Sequence, residues 1–322
     1  MNQPSPENAP TDAVGQPGPY AQPGPHAQDA AYPPGPPHRG ATARVLMTIG
    51  IVLAVVVVGF GAMFLIDLSM SETTTTHKSY DAVGTVELVS DGDVTVRAVE
   101  GDIEVDAIAH SGLREPTYSE EVSADRLEIT HRCEWTFLLS SFCSGELDVT
   151  LPADTEVVVR TENGDVVASG VAGDVSLQSS NGRIEAADIG GPLTASSSNG
   201  DIDVTDAGAD VDVSTSNGEV SVTGVDGTVT TDTSNGRITI DSVTGDASAN
   251  TSNGSVEISA VDGDVFGETS NGRVTVVGDG EPVALSIQTS NGDEIIEGPT
   301  DPDAERTVEI RSSNGDVAYL DN

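Results

Sequence analysis

Residues Asn217–Ser234 read NGEVSVTGVDGTVTTDTS, and this row decides the fold. It opens on an Asn-Gly pair that returns at Asn163, Asn181, Asn199, Asn217, Asn235, Asn253 and Asn271, 18 residues apart each time. Asn291 and Asn314, each also followed by Gly, extend the run at spacings of 20 and 23. A fixed short period means one supersecondary unit copied and stacked.

With the Asn as column 1, column 4 reads Val166, Ile184, Ile202, Val220, Ile238, Val256, Val274. Column 6 is Ala, Val or Ile throughout, and columns 9 and 13 are mostly aliphatic. Columns 4 and 6 alternate with polar neighbours, and so do columns 13 and 15. This period of two predicts two short strands per row. Gly near column 11 and the Asn-Gly pair mark the turns, where both residue types tolerate positive φ. Asn-Gly between alternating strands is also a hairpin signal, but a meander does not demand matching columns. A three-sided hexapeptide helix needs apolar residues at columns 10 and 16, which are polar or small here. The predicted fold is therefore all-β, a parallel β-solenoid with two strands per coil of about 18 residues. Its thin core of Val, Ile, Ala and Thr needs neighbouring coils for stability, as in other one-dimensional repeats.

Other columns read structurally. Column 3 faces outward and often places opposite charges one coil apart, as in Asp165, Arg183 and Asp201. Such pairs support register by ~0.2–1 kcal/mol each. The nine Asn residues read as a turn ladder with stacked side-chain hydrogen bonds rather than a binding array. Upstream, Val94, Val96, Val99, Gly101, Ile103 and Val105 fit columns 4, 6, 9, 11, 13 and 15 behind Asp91-Gly92. The solenoid is thus expected over residues 81–322, interrupted by a disulfide-hairpin insertion at about 109–150.

The 322-residue chain carries a formal net charge of −40 and has a pI near 4.1. Nucleic-acid binding is excluded, since phosphate contacts need clustered Lys and Arg. An acidic surface of this kind solubilises and self-repels. Carboxylate ladders such as Asp246 above Asp264 leave Ca²⁺ as a weak cofactor candidate; no metal ligand set is assigned.

Residues 1–43 are rich in Pro, Gly, Gln and Ala and are expected to be a disordered cytoplasmic tail. Val45–Ile66 is a run of 22 almost purely apolar residues. At 1.5 Å per residue it spans ~33 Å, so a transmembrane helix is expected over 44–67 with residues 45–66 in the bilayer. Arg39 and Arg44 flank its start, which by the positive-inside rule leaves the tail inside and the repeats outside a bacterial cell membrane. Residues 68–80 read as a stalk.

Cys133 and Cys143 are the only cysteines, and on the outer side an even count favours a disulfide. The loop between them holds Trp135, Phe137, Leu138, Leu139 and Phe142 in a chain with 3% aromatics. Arg126–Thr130 and Glu146–Leu151 alternate like strands on either side, which predicts a loop at a hairpin tip. Its apolar residues either fold back to cap the solenoid end or form a partner-contact tip.

Catalytic signatures are missing from the repeats: no His lies in them, and no His-Glu-x-x-His, Gly-x-Ser-x-Gly or phosphate loop occurs. The run LDVTLPADTEVVVRTENGDVVASGVAGDVSLQSSNG, with the units after it, resembles a bacterial β-strand-repeat domain family of unknown function labelled as candidate adhesins. The resemblance covers residues 81–322 and implies the fold but transfers no catalytic residues. The expected role is a non-catalytic, membrane-anchored cell-surface protein that contacts an envelope or surface partner. The alternative is an envelope-stress sensor or regulator signalling through its tail, and a remote alternative is a polysaccharide-active enzyme.

Overall fold

A computed structural model of the chain describes residues 41–69, 72–111, 115–133 and 143–321. The chain divides into two compact units, Met1–Val56 and Val57–Asn322. The helix α1 (Ala41–Ser69) contains the span Val45–Leu65, 21 residues of mean hydropathy 2.7. That is long and apolar enough to cross a membrane, and its large apolar side chains are exposed. The expected disordered tail lies almost wholly outside the described residues.

The second unit is a β-solenoid of two facing sheets. Its first strands are β1 (Glu72–Tyr80), β2 (Thr85–Ser90), β3 (Val94–Ala98), β4 (Ile103–Ser111), β5 (Thr117–Val122), β6 (Arg126–Arg132) and β7 (Ser144–Leu151). The regular coils run from β8 (Glu156–Thr161) to β20 (Val265–Asn271) and β21 (Val274–Val277). The last strands are β22 (Ala284–Asn291), β23 (Glu294–Ile296), β24 (Thr307–Asn314) and β25 (Val317–Leu320). Each regular coil gives one strand to a 13-stranded sheet and one to a 12-stranded sheet, and coil pairing is parallel and in register. Val220 pairs with Ile238 and Val229 with Ala247, each column above itself. Columns 4, 6, 9 and 13 fill a continuous core between the sheets.

Three local devices make the stack. Column 8 holds the left-handed backbone: Asp188, Asp206, Ser242 and Ala260 have φ of 51–60°, and Gly170 and Gly224 have 74° and 73°. That residue resets the alternation, so column 9 rather than column 8 turns inward. The expected positive φ at the Asn column is therefore corrected: among the described residues, no Asn adopts it. The Gly of each Asn-Gly pair is instead required by close approach. A Cβ on Gly182, Gly200, Gly218, Gly236, Gly254 or Gly272 would stand 1.7–1.9 Å from the Gly carbonyl oxygen one coil back. Beneath this turn lies a column of buried hydroxyls. Ser179 accepts from the Gly182 N–H at 2.9 Å and donates to the Gly164 carbonyl at 3.1 Å, so no buried polar group is left over there.

Both ends depart from the sequence-order winding. At the N-terminal end, β6 and β7 form one coil, one strand per sheet, stacked outside the β2–β3 coil. The residues around the cysteines thus do not make a hairpin, because their flanking strands belong to different sheets. Cys133 and Cys143 stand between these strands where the regular coils carry Asn-Gly. The irregular region also begins earlier than residue 109. Ile103 and Val105 are buried as expected, but β4 turns back antiparallel beside β7 instead of crossing to the other sheet. The expected stalk is corrected too: Thr73–Thr76 and their neighbours form β1, a nine-residue strand antiparallel to β4. Thr is β-branched and suits an extended, half-exposed strand on an open edge. At the C-terminal end, β24–β25 stacks directly on β20–β21, and β22–β23 lies outermost.

Candidate contact surfaces

The Asn column forms one continuous amide ladder. Asn181 Nδ2 donates to Asn163 Oδ1 at 3.0 Å, and the pattern repeats through Asn199, Asn217, Asn235, Asn253 and Asn271 at 2.9–3.0 Å. Then the order follows space, not sequence: Asn314 donates to Asn271 at 3.0 Å and Asn291 to Asn314 at 3.1 Å. Each Nδ2 also reaches a backbone carbonyl of the coil behind, such as Ser216 O from Asn235. An amide nitrogen has two donor hydrogens, so both are used within the stack. The ladder therefore has little left to offer a ligand.

The disulfide joins Cys133 to Cys143 across 6.1 Å between Cα atoms, on the same turn edge as the ladder. Asp91, standing where the repeats carry Asn, anchors its base. Its two carboxylate oxygens accept the Cys133 N–H at 2.6 Å and the Gly145 N–H at 2.8 Å. Trp135, Phe137, Leu138, Leu139 and Phe142 lie outside the described residues.

The cap formed by β1, β4, β5 and β6 carries a polar network. Tyr80 and Tyr118 share a hydroxyl contact at 2.7 Å, Lys78 reaches Glu120 at 2.6 Å, and Tyr80 donates to the same carboxylate. Lys78 also lies over the Tyr118 ring. Burial pushes both phenols above the ordinary tyrosine value, with the Glu120 contact adding to it at Tyr80. The Lys78 and Tyr80 hydrogen bonds hold Glu120 below the ordinary carboxylate value. His131 on β6 is buried, its Nδ1 donating to the Glu146 carbonyl at 3.1 Å, and burial lowers its pKa. Glu87, also buried, is gripped by Arg126 and Arg160 from the two strands flanking β2.

The column 8–10 edge holds an open groove of about 640 Å³, lined in part by Asp188, Asp206, Asp226, Ser242 and Asp262. The carboxylates of column 12 are committed to the stack: Asp246 Oδ1 accepts the Asp264 N–H at 2.9 Å, and Asp264 Oδ1 accepts the Thr307 N–H at 2.7 Å. In column 3, Arg183 bridges Asp201 at 3.3 Å and Asp203 at 2.9 Å, while Asp165 accepts the Arg183 N–H at 2.8 Å. Among the described residues, no group of three or more His, Cys, Asp or Glu is placed to hold a metal ion.

Sequence reasoning missed the open C-terminal end. The outer edges of β22 and β23 have no strand beside them in either sheet. Ile295 and Ile296 are exposed there, next to a groove of about 610 Å³ lined by Leu285, Ile287, Ile296 and Pro302. The departures from 18 at Asn291 and Asn314 were the only signal of this irregular end.

A profile of the family described as Toastrack DUF4097 matches residues 84–319. No curated protein matches the chain. Among solved structures, the chain is similar to a candidate adhesin from Bacteroides fragilis NCTC 9343 at 11% identity and TM-score 0.36, over 77% of this chain and 97% of that one. It is similar to a candidate lipid-binding protein from Parabacteroides distasonis ATCC 8503 at 12% identity and TM-score 0.45, over 77% and 96%. A candidate adhesin from the same organism is similar at 14% identity and TM-score 0.36, over 77% and 97%.

Proposed function

The chain belongs to the Toastrack family, and on that premise we propose that it is a non-catalytic, membrane-anchored surface module presenting a rigid acidic stack for adhesion or envelope contacts. One observation carries the reading. An apolar span of 21 residues leads, within the same helix and then β1, into a stack whose repeated polar groups bond to one another. A surface built this way keeps its shape without a ligand and meets partners through its ends and acidic faces. Arg39 and Arg44 before the span support an orientation with the stack outside the cell. The shifted carboxylates Glu120, Asp279 and Asp316 are all lowered, by hydrogen bonds from Lys78, the Glu281 N–H and the Asp293 N–H respectively. Such groups stay ionised at neutral pH, which suits a charged contact surface and not a general acid.

Retention of envelope material by the full chain, with and without Ca²⁺, tests the reading. The module is expected to retain an envelope component. Release of products from cell-wall or acidic glycans would overturn the non-catalytic reading. A second reading, a sensor signalling through the tail, is favoured by β1, which starts three residues after the helix ends and completes the cap. Deleting residues 1–38 separates the two: an adhesin keeps its function, whereas a sensor loses its output.

A further inference from the structure

We infer that the open C-terminal end of the stack is a strand-addition site for an extended, apolar-alternating peptide that carries a Lys or Arg. The inference rests on the surface-module reading and names the partner chemistry at one end of it. Strand β22 pairs with β24 on one side only, so alternate residues of its outer edge, Leu285 and Ile287 among them, present N–H and C=O groups with no strand beside them, between the segment 299–301 bonded at Val283 and the Glu294 carboxylate on the Thr289 N–H. Extended peptides bind such edges through main-chain hydrogen bonds, with alternate side chains giving specificity. Leu285 and Ile287 occupy the columns that are buried in the coil below, where Val308 and Ile310 lie under them. Here they are only half-buried and line the 610 Å³ groove with Ile296. An added strand would cover them as each coil covers the last.

Charge selects the occupant. Glu294 stands directly above Val317, in the column that the regular coils fill with Val or Ile. Its Oε1 accepts the Thr289 N–H at 3.3 Å, which puts an exposed carboxylate beside the β22 edge. Asp293 beside it is exposed, and Glu297, Asp301 and Asp303 add further exposed carboxylates to the same terminal segment. The nearby cations are committed, Arg306 to Asp279 at 2.8 Å and Arg311 to Glu309. A second copy of this chain would bring the same carboxylates face to face, so like-charge repulsion disfavours it. A basic residue at that position meets Glu294 and its neighbours instead.

The test is fluorescence anisotropy of the full chain in detergent with a labelled peptide Thr-Val-Thr-Val-Thr-Lys-Thr and with its reversed sequence, since a strand can add in either direction. At least one should bind saturably. Replacing the second Val by Pro, which removes a main-chain donor, or the Lys by Glu, should weaken it by about tenfold or more, the scale of one lost charge pair or hydrogen bond. The Glu294→Lys chain should lose the Lys peptide and gain the Glu peptide. Because Glu294 is exposed, that exchange leaves the core intact. No saturable binding in either direction, or equal binding of the Pro peptide, overturns the proposal. So does a Glu294→Lys chain with unchanged preference. A chain that fails here yet still retains envelope material loses only this end site, and the surface-module reading stands.

Discussion

The two ends of the stack solve the same problem in opposite ways. A solenoid end exposes a core cross-section and two strand edges. At the N-terminal end the chain covers them itself: β5 adds antiparallel to β6, and β4 and β1 add antiparallel beyond β7. Bulkier side chains gather beneath that cover, including Leu88, Leu127, Ile129, Leu147 and Leu151, all buried. At the C-terminal end the outermost coil is left bare, with Ile295 and Ile296 exposed and a carboxylate, Glu294, in a core column. Closure at the N-terminal end therefore depends on antiparallel additions outside the repeat, and a carboxylate in a core column of the bare end disfavours stacking on its own kind.

The largest expected effect comes from adding one methyl at the Gly column. In Gly164→Ala the new Cβ meets the Gly92 backbone at 2.0 Å, between two coils locked on both sides. Loss should exceed ~4 kcal/mol and appear as a large fall in melting temperature. Gly292→Ala has a similar clash, 2.1 Å from Gly315 O, but in the outermost coil. That coil can lift away, so hydrogen exchange should show local fraying of β22 and β23 while the rest stays protected. Equal global loss from both would remove the distinction between the ends.

Core truncation sharpens it next. Ile129→Ala under the cap should cost ~2–5 kcal/mol in denaturant unfolding. Ile296→Ala, about half exposed, should cost under ~1 kcal/mol. A smaller contrast lies in the ladder. Asn181→Ala interrupts bonds to Asn163 and Asn199, with an expected cost of ~1–3 kcal/mol, whereas Asn291→Ala ends a chain of bonds and should cost about 1 kcal/mol or less.

The smallest expected effect is a pH dependence confined to the cap. Burial lowers the pKa of His131, so the folded chain favours the neutral ring. The unfolded chain takes up the proton first as pH falls through ~6.5. Stability from this group is thus complete above that value and declines below it. Protection factors in β5 and β6, corrected for the intrinsic pH dependence of exchange, should fall between pH 7 and 5, and His131→Gln should flatten the step. His77 and His110 contact Asp106 and Glu146 at 2.8 Å each on the same cap. The outer strand β22 contains no His and should show no such step.

The repeat was legible because every coil places the same residue types in the same columns. The facing strands at columns 4–6 and 13–15 follow from period-two alternation. The Asn ladder follows from one residue type recurring at one height. The left-handed turn was not legible, because column 8 contains Gly, Asp, Ser and Ala, and no single residue type announces positive φ. The disulfide was legible from two cysteines alone, but its place on a coil edge was not. Strand alternation says nothing about which sheet a strand joins, so β6 and β7 read as a hairpin although they form a coil.

The sequence by itself determined the coil, its register and the acidic outward columns, since these are local patterns that repeat until stacking is forced. Only the tertiary structure decided the order of the terminal coils. Asn314 precedes Asn291 in the ladder, and β2–β3 lies inside β6–β7. Neighbouring coils offer almost identical surfaces to one another, so pairing energy alone does not fix their sequence in space. Non-repeating contacts settle it, such as Glu87 between Arg126 and Arg160 at one end and Tyr319 filling the core under β23 at the other.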